Sequence, residues 1–387
     1  MVKRAGAGSG SAWIEVSLDN LIHNIREIRR QAGAETGLIA VVKDCGYGCG
    51  AVPVARILEE EQATMLAVAR LEEAYHLRQS GISIPILVIG EVAEEELTWA
   101  WDNNVRVTLN SLTDLKAWVR DDRHARIHLN IDTGMSRMGI SLVEVPEAAT
   151  LLASSPNLHV EGAYTHYAGA DLPATDTVAR QTSLFAQALE TLAHKGLRPP
   201  WLHYSNTAAL DRYPIPRGYL VRPGIGLYGC RPDPSQEFAM DVRPVVSLKG
   251  RVAKVRRLAG ATPVSYGGTY LTRRETCIAT VTIGYAHGLP RLLSNRGCML
   301  VRGHRYPIVG NVTMDYTMLD VGDFPQIERG DEVVAIGEQG NERIEVDEVA
   351  RRANTIGYEI LCGLGTRTGR VYLRDGNIRH EFSGVQY

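Results

Sequence analysis

No stretch of these 387 residues reaches the ~18 consecutive apolar residues that span a bilayer, which excludes a membrane-crossing helix. The Gly- and Ser-rich opening, Met1 to Ala12, also lacks the apolar core of a secretion signal, so the expectation is a flexible tail on a cytoplasmic protein. The six cysteines (Cys45, Cys49, Cys230, Cys277, Cys298, Cys362) include no CxxC pair, which argues against a disulfide framework and for reduced thiols. Cys45 and Cys49 lie four apart, but no third or fourth ligand stands nearby, and no metal is expected. Net charge is nearly absent, at −2, so neither nucleic acid nor an anionic membrane is an expected partner and a small molecule is. There is no internal repeat. What remains is an ordinary globular composition, 44% hydrophobic and 22% charged, long enough for two cores.

Between residues 37 and 228, eight short β-rich runs alternate with segments of helical period. The runs are Leu38 to Lys43, Met65 to Ala69, Pro85 to Gly90, Val105 to Leu109, Arg126 to Asp132, Leu158 to His166, Trp201 to Ser205 and Leu220 to Tyr228. Helical stretches such as Val52 to Glu60, Glu72 to Gln79, Glu94 to Asp102, Leu112 to Arg120 and Thr177 to His194 lie between them. This pattern predicts an α/β domain, a parallel (β/α)8 TIM-like barrel over 13–240, with an open doubly wound sheet as the alternative. After about residue 240 the period falls to two, as in Val245 to Val252, Cys277 to Ile283 and Glu332 to Ile336, and the only long amphipathic segment is Val346 to Ala353. A second, all-β domain over 241–387 follows, and the run Ala12 to Leu18 is a strand that could pair with either domain.

The barrel reading gives Lys43 its interest. It closes the run Gly37 to Lys43 and is followed by Asp44-Cys-Gly-Tyr47-Gly-Cys-Gly50, where glycines let the backbone crowd a ligand. A lysine in such a place is either a covalent anchor for a carbonyl compound or a side chain snorkelling at a strand end. Barrel enzymes keep their chemistry at the C-terminal strand ends, and Arg137, His166 and Arg222 fall there with Lys43. Strands seven and eight lead into Ser205-Asn206-Thr207 and Pro223-Gly224-Ile225-Gly226, whose hydroxyls and glycine N–H groups suit a phosphate. Lysine plus phosphate cradle points to pyridoxal 5'-phosphate.

Seven segments in order carry a resemblance: Ala40-Val-Val-Lys43 with Tyr47-Gly-Cys-Gly50, Asp132-Thr-Gly-Met-Ser-Arg137-Met-Gly139, Thr165-His166, His203-Tyr-Ser-Asn206-Thr207-Ala-Ala, Arg222-Pro-Gly-Ile225-Gly-Leu-Tyr228-Gly, Val264-Ser-Tyr266-Gly and Met314-Asp315. Together they resemble the bacterial alanine racemases, of the fold-type III pyridoxal-phosphate group, across nearly the full length. The resemblance implies an isomerase that interconverts L- and D-alanine, supplying D-alanine for peptidoglycan. Lys43 would hold the cofactor as an aldimine and serve as base on one face of the substrate α-carbon, with Tyr266 as base on the other. An ordinary phenol, with a pKa of about 10, needs a cationic neighbour to act near neutrality. In the family that tyrosine comes from the partner subunit, which implies a head-to-tail homodimer with shared sites.

The remaining roles are likewise carried over from the resemblance. Arg222 would bond the pyridine nitrogen and, staying protonated, keep that nitrogen unprotonated, with His166 orienting it. Tyr47, Asn206, Thr207, Gly224, Ile225 and Tyr358 match positions around the phosphate, Arg137 and the Met314 N–H match the grip on the substrate carboxylate, and Asp171, Tyr285 and Arg291 match the access corridor.

The chain also departs from the family. Asp44-Cys45-Gly46 stands for Ala-Asn-Ala, Cys49 for His, His287 for Asp, Leu289 for Tyr and Asn311 for Arg. Asn130 replaces a lysine whose carbamate pairs with the arginine matching Arg137, so a bound chloride, as in family members with Asn here, or Asp132 is expected to compensate. Three alternatives stay open: a serine or broad-specificity racemase of the same fold, a non-catalytic pyridoxal-phosphate homeostasis protein, and a decarboxylase of the same architecture.

Overall fold

The computed structural model describes residues 12–120, 122–172, 176–323, 326–365 and 368–382. All of the expected tail but Ala12 lies outside them.

Eight parallel strands, Ile39–Val41, Met65–Val68, Ile86–Val88, Val105–Leu109, Ala125–Asp132, Leu158–Tyr164, Trp201–Ser205 and Tyr219–Val221, pair in sequence order. The ring closes where Leu38 bridges Val221, with the Val221 N–H donating to the Gly37 carbonyl at 3.0 Å and the Val41 N–H to that of Pro223 at 3.1 Å. A closed barrel replaces the open-sheet alternative. Strands such as Met65–Val68 and Val105–Leu109 are buried along their whole length, because one face fills the barrel and the other packs under helices. Those helices turn one stripe inward, as when Thr177–His194 buries Val178, Gln181, Phe185, Ala188 and Leu192 at intervals of three and four.

Five expected strands end early, the sixth at Tyr164 so that His166 follows it, and the endings of the first and eighth also matter for the site. The first stops at Val41, so Lys43 opens the following turn rather than closing the strand. The eighth stops at Val221, so Arg222 follows it directly, and Ile225–Tyr228 is a turn of 3-10 helix. The helix Leu18–Ala32 was not expected. Ser17 caps it by accepting from the Asn20 N–H at 3.2 Å, and Leu18, Leu21, Ile25 and Ile28 form its buried stripe.

The strand Ala12–Ser17 lies between Val246–Leu258, antiparallel, and Gly369–Arg374, parallel, and so belongs to the second sheet. Val246–Leu258 pairs with Glu332–Gln339 through its first half and with Thr276–Val281 through its second, which bends that sheet around its own interior. Ile14, Val16, Leu248 and Tyr372 share one continuous core with the barrel. Among the described residues no helix is long and apolar enough to cross a membrane.

Candidate active site

Period-two alternation sends a set of polar side chains into the barrel. Thr108 pairs in register with His128 and His128 with Gly162, and two residues further along their strands Tyr164 pairs with His203, so these inward positions form two adjoining rows. Arg222 completes them. Its guanidinium is buried, donates through Nη1 to His203 Nδ1 at 2.5 Å and through Nη2 to His166 Nδ1 at 2.9 Å and the Thr165 carbonyl at 3.2 Å. It also lies over the Tyr164 ring, 4.9 Å from the centroid. Burial, reinforced by the charge of Arg137, lowers the Arg222 pKa to about 10, which leaves it protonated at neutral pH.

That fixed cation dictates the state of its neighbours. An imidazole nitrogen that accepts from a guanidinium must be unprotonated, so His203 carries its hydrogen on Nε2 and donates to His128 Nδ1 at 2.9 Å. Burial first, and then the Arg106 and Arg222 charges, push His128 down to about 3. Burial and the charges of Arg222, Arg137 and Lys43 do the same to His166, also about 3, and His203 is held well below the ordinary range for the same leading reason. The ring of His128 fits only because residue 162 is glycine, where a Cβ would lie 2.3 Å from His128 Nδ1.

Lys43 begins a turn in which Asp44, Cys45, Gly46, Tyr47 and Gly48 all have positive φ, between 51° and 76°. Left-handed backbone costs roughly 1–2 kcal/mol per residue that carries a Cβ, so Asp44, Cys45 and Tyr47 need compensation from outside. The turn places Tyr47 beneath the last barrel loop, its ring stacked on Tyr228 at 4.6 Å and 6.3 Å from that of Tyr358. Burial raises the phenols of both Tyr47 and Tyr358, which therefore act as neutral donors.

Thr207 Oγ1 accepts from the N–H groups of Gly224, at 3.1 Å, and Gly226, at 3.3 Å. With two donors on its lone pairs, the hydroxyl hydrogen is left to be donated. A Cβ on Gly224 would sit 2.6 Å from the Tyr47 hydroxyl, and one on Gly226 2.7 Å from the Thr207 methyl, so glycine at both positions keeps the cradle open. Ile225 is buried between them. Asn206 Oδ1 accepts from the Ala209 N–H at 2.9 Å and caps the helix Thr207–Arg212.

Arg137 is exposed in the loop after the fifth strand. Asp132 shapes that loop rather than pairing with the guanidinium: one of its oxygens accepts from the N–H groups of Gly134, Met135 and Ser136 at 2.9, 3.0 and 3.1 Å. Asn130 Nδ2 donates to Asn110 Oδ1 at 2.9 Å. Asp171 lies close enough to Tyr358 for its charge to raise that phenol further. Tyr266, Tyr285, Arg291 and Met314 sit instead on loops of the strand domain, all exposed, Tyr266 by 75%. The Tyr285 and Met314 loops are joined by Tyr285 N–H to Thr313 at 3.0 Å and Ala286 N–H to Met314 at 2.9 Å. Sequence reasoning missed Tyr164, His128 and Thr165, for which polar residues at inward strand positions were the available signal.

A lysine at the mouth, a hydroxyl and glycine cradle beside it, and a buried guanidinium between neutral imidazoles define a pyridoxal-phosphate barrel enzyme. The donor set fits that cofactor, with Tyr47, Thr207 and the open glycine loop for its phosphate and Lys43 for its aldehyde. Models of the alanine racemase N-terminal and C-terminal domains match residues 16–232 and 245–372. Alanine racemases of Desulforamulus reducens and Symbiobacterium thermophilum are 40% and 42% identical, over 93% and 94% of this chain and 98% of each of theirs. Among solved structures, alanine racemase from Bacillus anthracis with bound L-Ala-P superposes with a TM-score of 0.91 at 35% identity, covering 98% of this chain and 99% of its own. The enzyme from Bartonella henselae with covalently bound pyridoxal phosphate does so with a TM-score of 0.83 at 27% identity, covering 94% and 100%. The chain belongs to the alanine racemase family, pyridoxal-phosphate-dependent isomerases of alanine.

The neutral imidazoles have a thermodynamic consequence. His128 binds its proton at about 3 in the folded chain, against ~6.5 when unfolded. Below ~6.5 the unfolded state takes up a proton that the folded state refuses, so this stabilisation is complete above ~6.5 and is lost as pH falls toward the folded value. Denaturant titrations between pH 6.5 and 5 should lose up to about 1.4 kcal/mol per pH unit on account of His128. His128→Gln should flatten the slope by that amount; parallel slopes for the two proteins would mean that the imidazole protonates freely in the fold.

Proposed function

We propose that Lys43 and Tyr266 are the two bases with which this racemase moves the α-hydrogen between the faces of alanine. The observation that carries the reading is the gathering of Lys43, Arg137, Arg222 and neutral His166 at one strand-end mouth, where the three cations act together on the imidazole. Pyridoxal phosphate, when bound, supplies the electron sink that makes the α-hydrogen acidic. Every other step belongs to the chain. Tyr47, Thr207 and the Gly224–Gly226 loop would hold the cofactor's phosphate, and Arg222 would bond its ring nitrogen while keeping its own proton. Arg137 and the Met314 N–H orient the substrate carboxylate, and Lys43 takes or returns a proton on one face. Tyr266 does so on the other.

Two features of the chain support a shared, head-to-tail dimer. Tyr266 is three-quarters exposed, and it is held within its own domain, its carbonyl accepting from Asn311 Nδ2 at 2.8 Å. Met314 and Tyr316 beside it are about half exposed, an apolar surface suited to a second copy. A chloride between Asn130 and Arg137 is the anion we assign in place of Asp132, whose carboxylate is engaged by its loop. The six free thiols suit the reducing cytoplasm in which we place the enzyme.

Borohydride treatment of the holoenzyme should attach the cofactor to Lys43, and attachment to another lysine would sink the assignment. Tyr266→Phe should lose roughly 10²- to 10⁴-fold in turnover, the range for a lost general base. Mixing dissociated Lys43→Ala and Tyr266→Phe subunits should restore activity, since one site of each mixed dimer then holds both native bases. Mixtures no more active than their parents would place both bases on one chain. Raising chloride at constant ionic strength should change the KM for alanine; an unchanged KM removes the ion from the scheme.

A further inference from the structure

The turn that carries Lys43 is left-handed over five residues, Asp44 to Gly48, three of which bear a Cβ. Its own backbone bonds run from the Gly46 N–H to Val42 at 2.9 Å, Gly48 to Asp44 at 3.1 Å, Cys49 to Gly46 at 2.9 Å and Gly50 to Cys45 at 2.8 Å, none of which engages the Asp44 N–H. Its far end is held by the strand domain, where buried Arg370 donates through Nε to the Gly48 carbonyl at 2.9 Å and the Tyr372 hydroxyl to that of Cys49 at 2.8 Å. Its near end, the peptide immediately after Lys43, has one outside partner. Glu73 Oε1 accepts from the Asp44 N–H at 2.6 Å, while Oε2 accepts from the N–H groups of Ala69 and Arg70 at 2.8 and 3.1 Å.

Capping the helix Leu71–Gln79 uses only Oε2. The other oxygen reaches across to the neighbouring strand's exit, so one carboxylate ties the C-terminal ends of the first two barrel strands together at the lysine. We propose that Glu73 is a positioning residue for Lys43: it keeps the left-handed turn wound and so aims Lys43 and Tyr47 at the same point above the barrel. The proposal rests on the reading of Lys43 as the cofactor lysine. A carboxylate is needed because it presents acceptors only; an amide at this position has one accepting oxygen and would turn its NH2 toward an N–H.

The chain contains its own control. Glu59 is a staple of the same chemistry at the opposite end of the barrel, its Oε1 accepting from the Ser83 and Ile84 N–H groups at 2.9 and 3.1 Å, ahead of the strand Ile86–Val88. Glu73→Gln, Glu59→Gln and the double variant Asp44→Gly/Glu73→Gln are to be compared with the native chain in three measurements. These are hydrogen exchange of the Asp44–Gly50 amides without cofactor, visible circular dichroism of the bound cofactor, and kcat and KM for alanine. Glu73→Gln should speed exchange in that segment, change the dichroic band and lower kcat about 10- to 100-fold with a smaller effect on KM, the scale expected of a misplaced reacting group. Glu59→Gln should leave all three as they are. Glycine at 44 adopts φ near 53° without a Cβ to clash, so the double variant should recover much of the loss. Rescue of this kind is not open to a residue that merely caps a helix. If Glu73→Gln does not fold, Glu73→Asp, too short to reach both strands, is read in the same way. Unchanged exchange and dichroism, an equal loss in Glu59→Gln, or no rescue by Asp44→Gly would overturn the proposal. A native enzyme that borohydride tags elsewhere than Lys43 would instead remove the underlying reading, and exchange in the cofactor-free protein would still judge the clamp.

Discussion

The charge of Arg222 is buried in the barrel with no carboxylate paired to it among the described residues. An ion in that position survives only if dipoles replace its water, and here two imidazole lone pairs, the Thr165 carbonyl and the face of Tyr164 do so. The neutrality of His203, His166 and His128 follows first from burial, to which this cation adds. The character of the mouth also follows from the cation. With Lys43 and Arg137 nearby, three positive charges converge, and Asp132 is spent on its own loop. A field of that sign favours anionic groups.

The two halves of the chain divide the work differently from the way their sequences suggest. The strand Ala12–Ser17 is part of the second sheet, and the helix after it is fastened to the connection between the halves by buried Asn24, which donates to the carbonyls of Leu227 and Arg243 at 3.0 and 2.8 Å. Arg370 and Tyr372 then reach from the second sheet into the lysine turn. The barrel carries Lys43, Arg137 and Arg222, and the strand domain, besides carrying Tyr266, holds one end of the segment that bears Lys43.

How much of this was legible depended on whether the cause was local. Barrel strands buried on both faces show themselves as short apolar runs between helical periods, and all eight could be read. The helix Leu18–Ala32 is equally legible in its spacing of Leu18, Leu21, Ile25 and Ile28, directly after the run that reads as a strand. The end of the first strand could not be read. Val42 and Lys43 continue an ideal β pattern, and only Gly46 and Gly48 hint at positive φ; the turn exists because Glu73, Arg370 and Tyr372, distant in sequence, hold it. His128 and His203 were ambiguous for a related reason: an isolated histidine on a strand acquires meaning only when the partner opposite it is known.

The same distinction explains how the chain can depart from its family without losing the site. At His287 the side chain accepts through Nδ1 from the Gly284 N–H at 3.1 Å, a task the carboxylate usual in the family could also perform. Asn311 spends its amide on the Tyr266 carbonyl, and its own backbone carbonyl accepts from Ser265 Oγ at 2.7 Å, so the proposed base and the residue before it are tied to one residue. Asp44 and Cys45 point to solvent, and Cys49 is held through its carbonyl by Tyr372. At His287 the bond runs through an acceptor that several side chains can supply, and at Cys49 through backbone, whereas Asn311 itself helps to set Tyr266 through its side-chain amide. Substitution at the first two leaves Lys43 and Arg222 set by contacts that the substituted side chains do not make.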